Sequence, residues 1–547
     1  MVADIVPGSG SADILGLRVA NDILFFNADD DTHGMELWVT DGSAAGTRML
    51  ADINPGPGSS LPASKTVLGN LLLFSADDGT GRALWVSDGT TAGTRKVKAV
   101  NPGFTASSLT PLATLNERVY FFASDALWVT DGTEAGTVKV ADVRGRRPGV
   151  AGARLFFEGW TAATGWELWV SDGTTGGTRP VTEIAPGTKD AFSTNLTNFG
   201  FAPFGDRVLF IATDGVHGRE LWISDGMAAG TRMIRDLVPG SAGMYDAGAT
   251  FVLAFNGRAY FTGYDDAHGW ELWSTDGTSD GTALFADITP GPEWSVAQPL
   301  LVLNGKLFFI HRSNGIGGYL GSTDGTAAGT RLLDAPLGQG FRAIGDRIYF
   351  TGDTAGAGRE PWITDGTAAG TRMIANLAPD AVPSSDPRAL TPGSTLLYFF
   401  ARDGFLDAES NSAEHSLWRS DGTAAGTFKP REPGQHSPAI TAVGNLLLFR
   451  EGTQWMLSDG TVAGTKPADA FLRRFGLEPQ VGALFPFGET LFATVNGKLW
   501  KTTAAPNAPA VQLGAPGASG MIESSGQYVF YSGAHDTQHD VSLWTTD

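Results

Sequence analysis

Short apolar runs separated by glycine-rich turns follow one another along the whole chain. In one stretch the runs occupy residues 62–68, 71–76, 83–88 and 95–100, and the segments between them are rich in Asp, Gly, Thr and Pro. Apolar runs of this length between turn residues are typical of β-strands. The pattern therefore predicts a unit of four short strands, and it starts again at residues 109–115.

One phrase marks each predicted unit. The sequence Asp-Gly-Thr-x-x-Gly-Thr recurs ten times with small changes, and a Trp stands three residues before most of its aspartates. Two later copies keep Leu-Trp without the turn, which makes twelve units at a mean spacing of 46 residues. A period in the forties with four strands predicts propeller blades. The tryptophans expected to fill the wedges between blades are Trp38, Trp85, Trp128, Trp169, Trp222, Trp273, Trp362, Trp418, Trp500 and Trp544.

The residues of the recurring turn predict its local structure. In a turn such as residues 88–94, the aspartate can accept a hydrogen bond from the backbone N–H two residues on, which closes an Asx turn. Both glycines are expected to take positive φ, which glycine does at low cost. The final threonine is expected to return the chain to a strand. The turns are therefore interpreted as structural.

The two ends of the chain contain complementary parts of one unit. Residues 521–547 contain three predicted strands, whereas residues 2–6 resemble the fourth strand of other units. We therefore expect an all-β fold in which residues 1–547 form a single β-propeller of about twelve four-stranded blades in one closed ring. The last blade would combine 521–547 with 2–6. Two six-bladed propellers in tandem are the alternative, and an open solenoid is less favoured because it would need caps.

The phrases "ELWVTDGS" (36–43), "ELWVSDGT" (167–174), "ELWISDGM" (220–227) and "ELWSTDGT" (271–278) carry a family resemblance. The chain resembles the ELWxxDGT-repeat proteins along essentially its whole length. These are mostly exported or surface proteins of bacteria, so the resemblance implies a repeat β architecture and a secreted or cell-surface location. It carries over no catalytic residues. Because Met1 leads straight into a predicted strand, we expect that a presequence is missing and that Met1 was added in cloning.

Composition and charge limit the classes of partner that the protein is expected to bind. The formal net charge is −20 and the isoelectric point is about 4.8, which disfavours nucleic acid and anionic lipid as partners. There is no cysteine, so disulfides and thiolate chemistry are excluded. No apolar run approaches the ~20 residues of a membrane span, so no membrane insertion is expected. We expect a monomer that meets a glycan or a protein surface.

Candidate binding residues lie on the face that carries the long, variable loops. Variable loops on a rigid scaffold are where binding usually resides. Four tryptophans off the repeated position fall in or beside these loops, and they are candidate ligand-binding residues because indole rings stack on sugars and anchor proteins. Covering hydrophobic edges between blades is the competing interpretation. The four are Trp160, Trp166, Trp270 and Trp294.

The sequence gives only weak evidence for a metal site and none for a cofactor. The acidic residues Asp29 and Asp31 resemble the start of a calcium loop, but Thr40 stands where its bidentate glutamate belongs. His535 and His539 are four residues apart, a spacing that suits a metal on a helix but not in a β-loop. No cofactor is expected, and calcium on acidic loops stays open. Another set of histidines recurs at one repeat position, which predicts a local turn role for His33, His217 and His268.

Two functions follow from these observations. The favoured hypothesis is a non-enzymatic extracytoplasmic scaffold that presents variable loops to a glycan or protein partner. The alternative is a hydrolase or lyase acting on a polysaccharide with an acidic site in the channel. The conspicuous acidic residues belong to repeated turns, whereas a catalytic pair should occur once. No catalytic residues are predicted.

Overall fold

Structure is described for most of the chain. The computed structural model describes residues 5–6, 12–21, 23–41, 43–100, 110–123, 125–192, 200–240, 243, 252–292, 295–313, 317–336, 338–378, 384–402, 415–431, 436–443, 445–451, 454–469, 481–487, 490–495, 498–503, 511–516, 518–524, 529–534 and 541–546.

The first six sheets occupy the first half of the chain. Sheets one and two contain β1 (Leu15–Ala20), β2 (Ile23–Asp29), β3 (Met35–Thr40), β4 (Arg48–Ala51), β5 (Ala63–Leu68), β6 (Leu71–Asp77), β7 (Arg82–Ser87) and β8 (Arg95–Lys98). Sheets three and four contain β9 (Thr110–Leu115), β10 (Arg118–Ala123), β11 (Ala126–Thr130), β12 (Val138–Ala141), β13 (Arg144–Ala151), β14 (Arg154–Thr161), β15 (Gly165–Ser171) and β16 (Arg179–Pro180). Sheets five and six contain β17 (Ala202–Phe204), β18 (Arg207–Ala212), β19 (Glu220–Ser224), a short 3₁₀ helix (Ala228–Gly230), β20 (Arg232–Met233), β21 (Val252–Phe255), β22 (Arg258–Asp265), β23 (Gly269–Thr275) and β24 (Ala283–Ala286).

The remaining six sheets follow in the same way. Sheets seven and eight contain β25 (Ser295–Leu303), β26 (Lys306–Ser313), β27 (Gly317–Thr323), β28 (Arg331–Pro336), β29 (Gly338–Ile344), β30 (Arg347–Thr354), β31 (Gly358–Thr364) and β32 (Arg372–Met373). Sheets nine and ten contain β33 (Arg388–Pro392), β34 (Leu397–Ala401), β35 (Ser416–Ser420), β36 (His436–Val443), β37 (Leu446–Glu451), β38 (Gln454–Ser458) and β39 (Lys466–Pro467). Sheets eleven and twelve contain β40 (Val481–Phe487), β41 (Thr490–Val495), β42 (Lys498–Thr503), β43 (Val511–Pro516), β44 (Ala518–Ser524), β45 (Val529–Ala534) and β46 (Val541–Thr546).

Every sheet has the topology of a propeller blade. Within the described residues, the strands of each sheet are hydrogen-bonded neighbours in chain order, four in ten sheets and three in the ninth and twelfth. In the ninth sheet an isolated antiparallel bridge between Arg419 and Phe428 occupies the fourth place. The predicted repeat of four short strands is therefore confirmed, and in the second sheet β5–β8 lie within a residue or two of the predicted runs.

Hydrophobic packing joins successive sheets face to face. Leu37 and Val39 of the first sheet share one buried cluster with Leu72 and Phe74 of the second. The opposite face of the second sheet packs on the third through other residues. Because both faces of such a sheet are buried, its middle strands carry nearly continuous apolar runs rather than a simple alternation, as β6 shows.

Eight of the repeated tryptophans lie directly across from a phenylalanine of the neighbouring strand. Trp85 lies directly across from Phe74 in the neighbouring strand, with ring centroids 6.5 Å apart, and Trp273 is only 4% exposed. The same cross-strand Phe–Trp pair recurs in seven further sheets, at Trp38, Trp128, Trp169, Trp222, Trp273, Trp362 and Trp418. Trp500 and Trp544 lie in β42 and β46. A large flat ring thus fills the space between neighbouring sheets.

The chain divides into two compact units. The first contains Met1–Asp246, Asn496–Leu499 and Leu513–Asp547, and the second contains Ala247–Val495 and Trp500–Gln512. In the first unit, neighbouring sheets approach one another through their first strands from β1 to β17, and β44 of the last sheet lies against β1. In the second unit the same contacts join β21 to β25, β29 to β33, β33 to β36 and β36 to β40. Within each unit, most neighbouring sheets are therefore in contact through their first strands.

Candidate functional site

The Asp-Gly-Thr turns have a uniform geometry at one end of the sheets that contain them. In the second sheet, the Thr90 backbone N–H and hydroxyl both donate to Asp88 Oδ1, at 2.8 and 2.7 Å, and Gly89 has φ 90°. These hydrogen bonds to Thr90 lower the pKa of Asp88. The predicted Asx turn and the positive φ of the first glycine are confirmed, and the other copies repeat this geometry closely.

The second glycine of the turn has a different role from the one predicted. Gly93 does not have positive φ, so that expectation is wrong. A Cβ at Gly93 would instead lie 2.0 Å from Asp88 Oδ1. The position excludes larger residues because the aspartate side chain needs the space to reach the backbone.

At the opposite end, the glutamate of Glu-Leu-Trp holds the loop that leads to the next sheet. Glu167 is 1% exposed and accepts the Ile184 and Ala185 backbone N–H groups at 2.9 and 2.8 Å. Burial raises the pKa of Glu36 and Glu167 to about 7, although their N–H donors favour the charged form. Equivalent bonds are made by Glu36, Glu271 and Glu360. Sequence reasoning missed this role, whose signal was a charged residue recurring inside an apolar strand.

The three recurring histidines close turns at this loop end. His33 Nδ1 lies 2.7 Å from Asp30 Oδ2, and the His33 backbone N–H donates to the same carboxylate. His217 and His268 pair with aspartates in the same way. The side-chain hydrogen bond to aspartate raises the pKa of each histidine above its ordinary value. The predicted turn role is confirmed.

An exposed indole lies at the loop end of the fourth sheet. Trp160 is 37% exposed, and it pairs across the strands with Arg144 on one side and Trp166 on the other. The Arg144 guanidinium carbon lies 5.8 Å from the Trp160 ring centroid. Arg146, two residues along β13, stacks over Trp166 at 3.9 Å and donates through Nε to Glu158. Arg144 Nε also donates to Asp125 Oδ1 at 3.1 Å, so these residues combine an aromatic face with ion-paired arginines.

The other three candidate tryptophans differ from Trp160 in exposure. Trp166 is half-buried, because Arg146 covers its ring and its edge packs against the core shared by sheets four and five. Trp270 is also half-buried and packs on Tyr264, its cross-strand partner, at a centroid distance of 5.4 Å. Trp294 lies outside the described residues. Trp160 therefore presents the most accessible ring of the described three.

The candidate metal residues engage their own backbone or lie outside the described residues. Asp29 Oδ1 accepts the Asp31 backbone N–H at 2.9 Å. His535 and His539 are outside the part of the chain that the structure describes. Among the residues that are described, no three His, Asp or Glu side chains come together as metal ligands. Within the same residues, no helix has the length and apolar character needed to cross a bilayer.

Comparisons with known proteins return structural likenesses and no family. No family model and no curated protein matches the chain. Similar solved structures include puromycin hydrolase, at 15% identity and a TM-score of 0.26 over 64% of this chain and 60% of that one. The tricorn protease shares 10% identity at a TM-score of 0.27, over 96% of this chain and 60% of that protein.

A propeller domain is also among these structures. The β-propeller domain of the Trilobed protease from Pyrococcus furiosus is 14% identical at a TM-score of 0.24, covering 59% of this chain and 98% of that domain. The chain spans about 60% of the length of puromycin hydrolase and the tricorn protease. At these identities and TM-scores the likenesses carry no activity over to this chain.

Proposed function

We propose that this protein is a non-enzymatic, extracytoplasmic binding scaffold that presents one face of a β-propeller to a glycan. The observation that carries the proposal is the exposed Trp160 ring beside the Arg144 guanidinium. Trp160 lies three residues after the phenylalanine that pairs with the repeated tryptophan of its sheet. In the first two sheets the same position is occupied by Asp29 and Asp77, so the fold does not require an aromatic residue at this position. An accessible indole with a neighbouring donor is suited to stacking on a sugar ring.

The scaffold itself is proposed to be one closed ring of twelve blades. Ring closure is supported within the first unit, where β44 of the last sheet lies against β1 and residues 513–547 belong with the first sheets. Two tandem six-bladed propellers would instead place the last sheet with the second half. Val6 is buried with Leu17 and Phe26 of the first sheet, which suits an N-terminal strand completing the last blade. Met1–Asp4 and Asp547 lie outside the described residues.

The enzymatic alternative has less support. A hydrolase or lyase with an acidic channel site would need carboxylates on the strands that line the axis. As the structure bounds them, the first strands of the twelve sheets contain one acidic residue, Glu523. They contain seven Lys and Arg residues: Arg18, Lys65, Arg144, Arg146, Arg147, Arg342 and Arg388. The distribution favours binding over acid-base catalysis.

A glycan array with the intact chain tests the proposed function. The wild type is expected to bind at least one neutral or acidic glycan, and Trp160→Ala is expected to weaken that binding about tenfold because a stacked ring is lost. Trp270→Ala is expected to have a smaller effect, since its ring is half-buried against Tyr264.

Val216→Ala is the matched control. Val216 is 63% exposed in the corresponding loop of the fifth sheet and carries no ring. Its binding and thermal unfolding midpoint should match the wild type. Absence of binding to every glycan, or equal binding by Trp160→Ala and the wild type, would refute the proposed site.

A further inference from the structure

Three arginines converge on a single aspartate between the eighth and ninth sheets. Arg388 donates to Asp386 Oδ2 through Nε and Nη2, at 2.9 and 2.5 Å. Arg359 Nη1 donates to Asp386 Oδ1 at 3.0 Å, and Arg402 Nη2 lies 3.9 Å from Oδ2. His415 Nε2 lies 3.8 Å from the same oxygen. All five residues belong to the second compact unit.

The cluster carries an excess of positive charge. Burial opposes ionisation of Asp386, but the hydrogen bonds and charges of Arg388 and Arg359 hold its pKa below the ordinary value. Among the described residues, Asp386 is the one carboxylate with an ion pair to these guanidinium groups, and Asp353 lies across the strands from Arg359. Asp386 is therefore ionised at neutral pH and neutralises one of the three guanidinium groups. Arg388 and Arg359 are 61% and 40% exposed, so their remaining donors face solvent, and the buried Nε of Arg402 has no hydrogen-bond partner among the described residues. This excess stands out in a chain of net charge −20.

The fold builds the same turn elsewhere without these charges. Ser385 bonds to the buried Glu360 as Ser60 bonds to Glu36, with hydroxyl-to-carboxylate distances of 2.6 Å in both. The residue that follows each serine has positive φ, 45° at Asp386 and 47° at Leu61. In the first two sheets the positions of Arg359, Asp386, Arg388 and Arg402 are occupied by Met35, Leu61, Ala63 and Asp77. The same turn therefore forms without the arginine cluster. This indicates that the cluster has a role beyond folding.

We propose that Arg359, Arg388 and Arg402, all in the second unit, form an anion site of their own, called here the anion subsite, that takes the carboxylate of an acidic sugar within a glycan. The inference rests on the proposed glycan-binding function and names its ligand class. The guanidinium fork matches a carboxylate, as Arg388 already shows with Asp386. The acidic surface of the protein would repel a densely charged polyanion. Screening limits charge effects to about 8 Å at physiological ionic strength. A glycan with one carboxylate per few sugars would therefore interact mainly with the charges of the arginine cluster.

Titration calorimetry with two hexasaccharides, one acidic and one neutral, tests the subsite. Hyaluronan hexasaccharide carries glucuronate in every second position, and chitohexaose is a neutral counterpart. The wild type is expected to bind the hyaluronan oligosaccharide about tenfold more tightly than chitohexaose, and Arg388→Ala is expected to remove that difference. Arg347→Ala is the control, because Arg347 is an exposed arginine beside Asp346 at the opposite end of the eighth sheet. It should keep the wild-type preference.

Asp386→Asn separates binding from a purely structural role. Asparagine tolerates the positive φ of this position and keeps the backbone N–H that donates to the Arg359 carbonyl. With the competing carboxylate neutralised, the hyaluronan oligosaccharide should bind about threefold to tenfold more tightly. A structural ion-pair cluster predicts the reverse pattern, a lower unfolding midpoint with no gain in affinity.

The outcomes distinguish this subsite from the general proposal. Binding of chitohexaose and hyaluronan with equal affinity, unchanged by Arg388→Ala, would overturn the anion subsite while leaving glycan binding intact. Binding of neither oligosaccharide, combined with an empty glycan array, would overturn both. Sodium sulfate that binds more tightly than free glucuronate, and with the same dependence on Arg388, would assign the cluster to an inorganic anion and overturn the sugar assignment.

Discussion

At the scale of single residues, neighbouring glycines in one turn have different constraints. Gly177 lies against Asp172, where an added Cβ would be 2.0 Å from Oδ1, whereas a Cβ at Gly176 would meet nothing within 4 Å. Neither residue has positive φ. The comparison therefore isolates the effect of space from the effect of backbone conformation.

We expect Gly177→Ala to lower the thermal unfolding midpoint and Gly176→Ala to leave it unchanged or raise it slightly. The first variant must displace the aspartate that closes the turn, at a cost of about 1–3 kcal/mol. The second removes conformational freedom from the unfolded chain without strain. Differential scanning calorimetry of both variants tests the expectation, and equal effects would contradict the steric explanation.

Residue roles could be predicted from the sequence where they depend on local chain geometry. The Asx turn at Asp88 and the turn role of His33 depend on residues two or three positions away in sequence. The local sequence pattern is therefore sufficient to predict both. The constraint on Gly93 depends on where a side chain five residues earlier points, and the arginine cluster gathers residues from positions 359 to 402. Such distant neighbours leave no periodic signal.

At the scale of elements, the buried glutamates Glu36, Glu167, Glu271 and Glu360 each bind the loop that follows their sheet. The donors to Glu167 lie 17 and 18 residues downstream, and the same spacing recurs at Glu36 and Glu271. The strands themselves were predictable because apolar runs and turns are local. The hydrogen bonds from these glutamates to the loops were not predictable, because a glutamate in a strand ordinarily indicates a solvent-exposed face.

These glutamates give stability an unusual pH dependence. Glutamate has an ordinary pKa of 4.5, whereas the pKa of Glu36 and Glu167 in the fold is about 7. The folded chain therefore binds more protons than the unfolded chain between these values, and the free energy of unfolding falls as pH rises. The raised pKa of His33 acts in the same direction above 6.5. The lowered pKa of Asp88 matters only in acid, below 3.8, where stability is lost as pH falls.

We therefore expect a higher unfolding midpoint at pH 5 than at pH 8. Thermal denaturation at constant ionic strength measures the difference, and Glu167→Gln should reduce it because one titrating group is removed. A midpoint that rises from pH 5 to pH 8 would show that the backbone donors outweigh burial at these carboxyl groups.

At the scale of the whole molecule, the proposed binding face depends on one closed ring. The repeat, its period and the twelve sheets were predictable because each unit repeats the same local pattern. Closure is a proposal supported by the contact of β44 with β1 and by the burial of Val6 in the first sheet. A closed ring holds the variable loops of all sheets on one rigid face, as a binding scaffold requires.

Electron microscopy of the purified chain tests closure most directly. Class averages should show a single annulus of twelve blades around a central hole, because each sheet would have a neighbour on both sides. Two-lobed particles with six blades in each lobe, or an open arc with separated ends, would contradict the closed ring and the single binding face built on it.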